Sequence, residues 1–271
     1  MIIQHNIGAI NAHRNLFNNN WEVQKNIEKL SSGYRINRSA DDAAGLAISE
    51  NMRSRIRGID QATVNAQDAI GLIQTAEGAL TETHAMLQRM VTLATQSANG
   101  TYTSDARTAI KNEVDQLRSE IDRISSSTEF NGVKPLLSTA TTKLTFQIGP
   151  TAAETLNVTV KTMNQTAISI NSIDVLTISN ANGAIDKINK AIDKVSTYRA
   201  ELGAAQNRLE HTINNLKVTS ENMTAAESRI RDTDMAKEMS AFTKNNILVQ
   251  ASQAMLAQAN QTPQGILQLL R

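Results

Sequence analysis

The chain has no cysteine, which excludes disulfides and thiolate metal sites. Proline occurs three times in 271 residues, and aromatic side chains make up only 3%. Alanine, leucine, isoleucine, asparagine and glutamine fill the space instead. That mixture suits long helices packed side by side better than a rounded catalytic domain. No charge of one sign dominates: 27 basic residues stand against 26 acidic ones. Nothing therefore demands nucleic acid or an anionic membrane as partner. No uncharged stretch is hydrophobic enough to span a bilayer, so membrane insertion is not expected. The opening Met1-Ile2-Ile3-Gln4-His5-Asn6 has no basic run ahead of an apolar core, so a cleaved secretory signal is not expected either.

Catalytic signatures are also missing. The four histidines, His5, His13, His84 and His211, are scattered, and none has metal-ligand spacing. No GxSxG, P-loop or GxGxxG occurs. The pair Asp41-Asp42 reads better as charge at a helix start than as a catalytic dyad. The expectation is a non-enzyme without cofactor or metal.

What is present is periodicity. Residues 42–98 read as one helix, about 80 Å long, with a seven-residue row at Met52, Ile59, Ala66, Ile73, Leu80, Leu87 and Ala94. Ile56, Ile70 and Val91 suggest a second row. Ser39-Ala40-Asp41-Asp42 offers a capping-box start, and Asn99-Gly100 a stop. A second helix, about 104–128, carries Ile110, Val114, Leu117, Ile121 and Ile124, and its short link implies that it doubles back. A third long helix, about 183–230, repeats Ile188, Val195, Leu202, Leu209, Leu216, Met223 and Ile230. Its companion row is small apart from Tyr198: Ala191, Ala205, Thr212, Thr219 and Ala226. Between these helices the period changes to two. Leu144, Phe146 and Ile148, then Leu156, Val158 and Val160, alternate with polar residues around Gly149-Pro150. They predict a small β-hairpin region, with Ile168 and Ile170 as a possible further strand. The fold class is mainly α: an antiparallel long-helix bundle with a small β-hairpin region and paired N- and C-terminal helices.

The two ends differ from everything between them. Residues 1–13 carry no charged side chain, and neither do residues 245–270, a run of 26 positions. Both stretches are amphipathic at helical spacing, through Ile3, Ile7, Ile10 and Phe17 at one end and Leu248, Ala251, Met255, Leu256 and Ala259 at the other. Their polar positions are mostly amides, which hydrogen-bond without the desolvation cost of a buried charge. Two helices cannot enclose each other fully, so burial by neighbouring copies is inferred.

Several segments carry a resemblance. Leu30-Ser31-Ser32-Gly33-Tyr34-Arg35-Ile36-Asn37, then Asp41-Asp42-Ala43-Ala44-Gly45-Leu46-Ala47-Ile48, resemble the N-terminal signature of bacterial flagellins. Gln96-Ser97-Ala98-Asn99-Gly100 and Glu129-Phe130-Asn131-Gly132 fit the same block. Leu202-Gly203-Ala204-Ala205-Gln206-Asn207-Arg208-Leu209, Ala257-Gln258-Ala259-Asn260-Gln261 and the closing Leu269-Leu270-Arg271 resemble the C-terminal block. The resemblance covers about residues 1–137 and 182–271, and it is to the short, minimal two-domain type without large surface domains.

The resemblance implies a structural subunit that polymerises into the hollow, helical flagellar filament. It assigns residues 1–40, with their hinge, and 236–271 to an inner-tube domain. Residues 41–181, including the hairpin region, and the helix within 182–235 go to an outer-tube rod. The residues implied for inner-tube assembly are Ile3, Ile7, Ile10, Phe17, Leu248, Met255, Leu256, Leu267, Leu269 and Leu270. Gly33, Arg35 and Asn37 are implied as an assembly-critical hinge. Gln88, Arg89, Leu93, Gln96 and Glu113 match a patch that contacts neighbouring subunits and the flagellin-sensing Toll-like receptor of animal hosts. Implied partners are further copies, the flagellar export chaperone, and the filament cap and hook-junction proteins. Export through the flagellar type III apparatus to an extracellular filament would account for the missing signal. A hook–filament junction protein, with similar terminal helices but a capping role, is the alternative.

Overall fold

The computed structural model describes residues 6–137 and 143–269, with side chains through Thr262. In chain order the elements are α1 (Ile7–Ser32), α2 (Ala43–Ala98), α3 (Ser104–Ser127), β1 (Lys143–Gln147), β2 (Thr155–Thr159), α4 (Ile178–Arg231) and α5 (Met235–Leu269). The expected class is therefore observed: long helices with, among the described residues, one small antiparallel sheet.

Each helix starts where a side chain can accept the first free amides. Asn6 Oδ1 accepts from the Ala9 amide, Asp42 Oδ1 from Gly45, Thr103 Oγ1 from Ala106, Thr177 Oγ1 from Asn180 and Asp234 Oδ1 from Lys237. At α2 the cap is Asp42 rather than a box built from Ser39. Asp41 turns back to accept from the amides of Asn37 and Arg38, and the Arg38 amide holds its carboxyl below the usual range. Helix α4 begins at Ile178, ahead of the expected 183, because the Thr177 cap precedes the buried Ala181 and Ala184.

By backbone proximity the chain divides into two compact units, Arg57–Ser220 and Met1–Ile56 with Glu221–Arg271. The boundaries fall inside α2 and α4. In Arg57–Ser220 the core is one continuous cluster drawn from α2, α3, α4 and the hairpin region. On α2 the predicted row Ile59, Ala66, Ile73, Leu80, Leu87 and Ala94 is buried. The companion row is not Ile56, Ile70 and Val91, which are only half-buried. It is Ala62, Ala69, Ala76, Thr83, Met90 and Ser97, also seven residues apart and fully shielded. Small side chains occupy most of it, and Thr83 returns its hydroxyl to the Ala79 carbonyl of its own helix. Helix α4 contributes Ile188, Val195, Leu202, Leu209 and Leu216, and α3 contributes Ile110, Val114 and Ile121. Tyr198 fills the one large position of the α4 companion row, with its hydroxyl bonded to the Pro135 carbonyl.

Strands β1 and β2 pair antiparallel, with Leu144 opposite Val158 and Phe146 opposite Leu156. The hairpin docks on α2. Asn65 Nδ2 donates to the Gln147 carbonyl at 3.1 Å, and Pro150 sits where a Cβ on Gly58 would lie 2.9 Å from it. Ile168 and Ile170 form no third strand. Both are buried, but Ser169 between them has φ of 67°, which breaks the extended path. They anchor a loop that charged side chains tie to the helices: Lys194 Nζ donates to the Ala167 carbonyl, Arg118 to that of Asn171, and Asp122 accepts from the Gln165 amide.

The two α2 faces predict opposite responses to truncation. Leu80→Ala in the buried row should lower the unfolding free energy by about 3 kcal/mol, whereas Val64→Ala on the exposed side should change it by less than about 0.5 kcal/mol. Denaturant unfolding of the two variants checks both.

Candidate functional site

The other unit, Met1–Ile56 with Glu221–Arg271, is organised around α1 and α5. Their backbones run antiparallel and approach within 8 Å. The shielded positions of α1 include Ala9, Ala12, Leu16, Asn19, Val23, Asn26 and Leu30. Those of α5 include Phe242, Asn245, Val249, Ser252, Leu256 and Ala259, on the same three-four spacing. Small residues let the backbones come close, and asparagines carry the polar bonds. Asn6 Nδ2 donates to the Ala259 carbonyl at 2.7 Å, and Asn19 Nδ2 to Ser252 Oγ at 2.9 Å. With its amide oriented to satisfy both ends, Asn26 donates to Glu238 Oε1 and accepts from Asn245 Nδ2.

This seam uses only one side of each helix. Ile7, Ile10 and Phe17, expected at an interface, point away from the partner helix, with Ile7 62% and Phe17 66% exposed. Met255 is 65% exposed and Leu248 is exposed beside it, whereas Leu256 belongs to the seam. Gly8, Asn11, Ala12 and Asn15 of α1 and Leu248, Ala251, Ser252 and Met255 of α5 line a groove of about 320 Å³. Ile3 and Leu270 lie outside the described residues, as do the side chains of Leu267 and Leu269. Sequence reasoning missed part of the outward face: Trp21, Ile27, Met235, Met239 and Ile247 are also exposed. Trp21, four residues after Phe17, continues a helical face and was readable on that ground.

The hinge residues sit in a short clamp. Helix α1 ends where Gly33 takes φ of 74° and its amide bonds the Lys29 carbonyl. Beyond it Tyr34 pairs with Asp232 as an antiparallel bridge, with Arg35 N donating to Arg231 O at 2.7 Å and Thr233 N to Gly33 O at 3.0 Å. The Arg35 guanidinium donates to the Ile230 carbonyl at 2.6 Å, at the negative end of α4. Asn37 stays local, donating to the Tyr34 carbonyl. Arg231 was not singled out from sequence, yet it closes the clamp. It lies over the Tyr34 ring at 4.6 Å and donates to Glu50 at 2.6 Å. No spacing rule links positions so far apart in the chain.

The third group divides. Arg89 Nε donates to Glu113 Oε1 at 2.9 Å across α2 and α3, and both side chains are about half exposed. Gln88 bonds His84, and Gln96 Nε2 donates to the Tyr102 hydroxyl. Gln88, Arg89, Gln96 and Glu113 are thus all exposed. Leu93 does not: it is 2% exposed and part of the core, so in the isolated subunit it supports the patch from beneath.

The Arg231 bond holds the Glu50 carboxyl below its ordinary value of 4.5, with Arg53 adding to the effect. A lowered folded-state pKa stabilises above the unfolded value, and the benefit is lost as pH falls through the folded one. The clamp should therefore loosen only in acid below pH 4.5. Hydrogen exchange at the Arg35 and Thr233 amides should accelerate there relative to core amides, and Glu50→Gln should remove that acid step.

Two family models match the chain. The bacterial flagellin N-terminal helical region covers residues 3–142, and the bacterial flagellin C-terminal helical region covers residues 185–270. A flagellin of Bacillus subtilis is 54% identical, and one of Halalkalibacterium halodurans 55%, each alignment covering 100% of both chains. A crystal structure of Bacillus cereus flagellin is 33% identical with a TM-score of 0.53, covering 60% of this chain and 94% of that one. Both ends of the chain, the helices that carry the site, lie within the matched regions. The chain belongs to the bacterial flagellin family and is a structural subunit of the flagellar filament rather than an enzyme.

Proposed function

We propose that this subunit polymerises into a hollow helical filament in which α1 and α5 pack against copies of themselves to line an inner tube. The observation that carries this reading is the uncovered outer face of the α1–α5 pair. Ile7, Ile10, Phe17, Trp21, Ile247 and Met255 face away from the seam on helices whose outer ends carry no charge. An apolar, uncharged surface of that extent is unfavourable in water and favourable between identical neighbours. Residues 1–40 and 236–271 then form the inner layer, and residues 41–181 and 182–235 the outer one. The clamp at Gly33, Arg35 and Asn37 serves as the hinge between them. The subunit leaves the cell through the flagellar export apparatus with its chaperone, and meets the hook-junction and cap proteins at the two ends of an extracellular filament.

Removing residues 236–271 takes away one wall of the pair and should abolish filaments in electron micrographs; normal filaments from that truncation would overturn the model. Phe17→Asp should raise the critical concentration for polymerisation by about tenfold or more, from the cost of burying an unpaired carboxylate in place of a ring. Sedimentation of polymer against free subunit reads it. A junction protein would instead stop at short oligomers under salting-out.

The exposed Arg89–Glu113 pair supports a second role, as ligand of the animal flagellin-sensing Toll-like receptor. A bidentate-capable guanidinium on a rigid helix face suits recognition by a carboxylate or carbonyl partner. The same patch, with Gln88 and Gln96, would contact neighbouring subunits. Arg89→Asp should then impair both filament formation and receptor signalling in a reporter assay. Both activities left intact would remove this role.

A further inference from the structure

The sequence contains three Asn-Gly pairs: Asn99-Gly100, Asn131-Gly132 and Asn182-Gly183. An asparagine before glycine is open to attack on its side-chain amide by the next main-chain nitrogen. Glycine sets no side chain in the way and leaves the peptide free to turn. In a folded chain the local structure decides which pair reacts, and these three lie in different settings.

Asn182-Gly183 lies inside α4, where the Gly183 amide belongs to the helical ladder and the main chain is fixed. Asn131-Gly132 is the two-residue link between Phe130 and Val133. Two backbone bonds of 2.9 and 3.0 Å close it, and both residues are held left-handed, with φ of 49° and 80°. Asn99-Gly100 joins α2 to α3, and both of its residues are exposed. Among the described residues the Gly100 amide has no partner, and nothing lies within 4 Å of where its Cβ would be. The backbone bonds around this turn are long, 3.3 Å from Asn99 N to Gln96 O and 3.4 Å from Tyr102 N to Asn99 O.

We propose that Asn99 is a site of spontaneous covalent modification, which converts it to aspartate and isoaspartate through a cyclic imide. The Gly100 nitrogen loses its proton and bonds to Asn99 Cγ, and the electron pair of the carbonyl moves onto Oδ1. That pair returns as the side-chain nitrogen leaves as ammonia. Water then adds to either carbonyl of the ring and opens it. One water is consumed, one ammonia is released, and nothing is oxidised or reduced. Opening at one carbonyl gives aspartate; opening at the other gives isoaspartate, which routes the main chain through the former side chain.

The turn aids this reaction in two ways. The Thr101 amide donates to Asn99 Oδ1 at 3.3 Å, so a donor already points at the oxygen on which charge develops. The same bond folds the side-chain amide back over the Gly100 peptide. Arg107 donates to the Asn99 carbonyl at 3.2 Å and places a positive charge beside the reacting atoms. Its Nε is shielded and has no partner among the described residues. A guanidinium there favours both the developing oxyanion and the product carboxylate. Gln96 donates to the Tyr102 hydroxyl in this same turn, so the new charge arises beside a residue of the exposed patch.

The turn belongs to the unit Arg57–Ser220, so the test needs no filament. Soluble full-length subunit is incubated in mildly alkaline buffer, and in parallel in concentrated urea. Peptide mapping by mass spectrometry reads the conversion of each asparagine, and enzymatic methylation of isoaspartate identifies that product. In buffer Asn99 should convert faster than Asn131 and Asn182 by about tenfold or more, the factor that ~1.4 kcal/mol of transition-state stabilisation supplies. In urea the three rates should converge. Arg107→Gln should slow Asn99 in buffer and leave its rate in urea unchanged, with helicity by circular dichroism as in the parent chain. Gly100→Ala should suppress conversion at Asn99 in both media. The proposal would be overturned by Asn131 or Asn182 keeping pace with Asn99 in buffer, or by no conversion at Asn99. Undiminished conversion in Gly100→Ala would overturn the cyclic route. An Arg107→Gln chain that ages like the parent in buffer would overturn the part assigned to the turn.

Discussion

The structure turns on a geometric fact: two helices can shield only the sides that face each other. The α1–α5 pair spends its small residues and asparagines on one seam and leaves Ile7, Ile10, Phe17, Trp21 and Met255 in contact with solvent. The unit Arg57–Ser220 does not share this condition. There α2, α3, α4 and the hairpin region supply each other with partners, and the apolar rows close into one core. One chain therefore contains a unit that is complete by itself and a unit that is not.

The contrast is written in residue chemistry. The complete unit has a charged exterior with ordinary surface pairs such as Arg89–Glu113, Lys161–Glu201 and Arg123–Glu120. Each of these contributes little to stability but keeps the surface wet. The incomplete unit replaces charge by amide over residues 245–262. Near the clamp charge returns, and there it is engaged. Arg38 meets Glu28, and Arg231 meets Glu50 and the Tyr34 ring.

Much of this was legible in the sequence, and the failures have physical causes. The heptad rows of α2 and α4 stood out because large apolar side chains recur in them. The second α2 row did not, because Ala62, Ala69, Ala76, Thr83 and Ser97 look like ordinary surface residues until a neighbouring helix covers them. Ile168 and Ile170 alternate as a strand would, but burial in a loop needs the same residues, and only the left-handed Ser169 separates the cases. Leu93 was placed on a surface by resemblance, although the helix turns it inward. For the end helices the missing charges announced burial on more than one side. They did not say which side belongs to the partner helix, since seam and outer face are both apolar. Nor do the asparagines decide it, because Asn19 and Asn26 lie in the seam while Asn11, Asn15 and Asn18 on the same helix are exposed.

The bridge between Tyr34 and Asp232 has a consequence for the order of folding. It joins residues nearly two hundred apart, and drawing together the ends of so long a loop costs about 5 kcal/mol in chain entropy. Two backbone bonds, each worth about 1 kcal/mol net, cannot repay that in a disordered chain. Once α2 and α4 have packed in a common core, most of the closure has already been accomplished, and the bridge forms at little further cost. The loop length therefore favours packing of the α2–α4 core ahead of the bridge, which then ties α1 to the end of α4 at little extra cost.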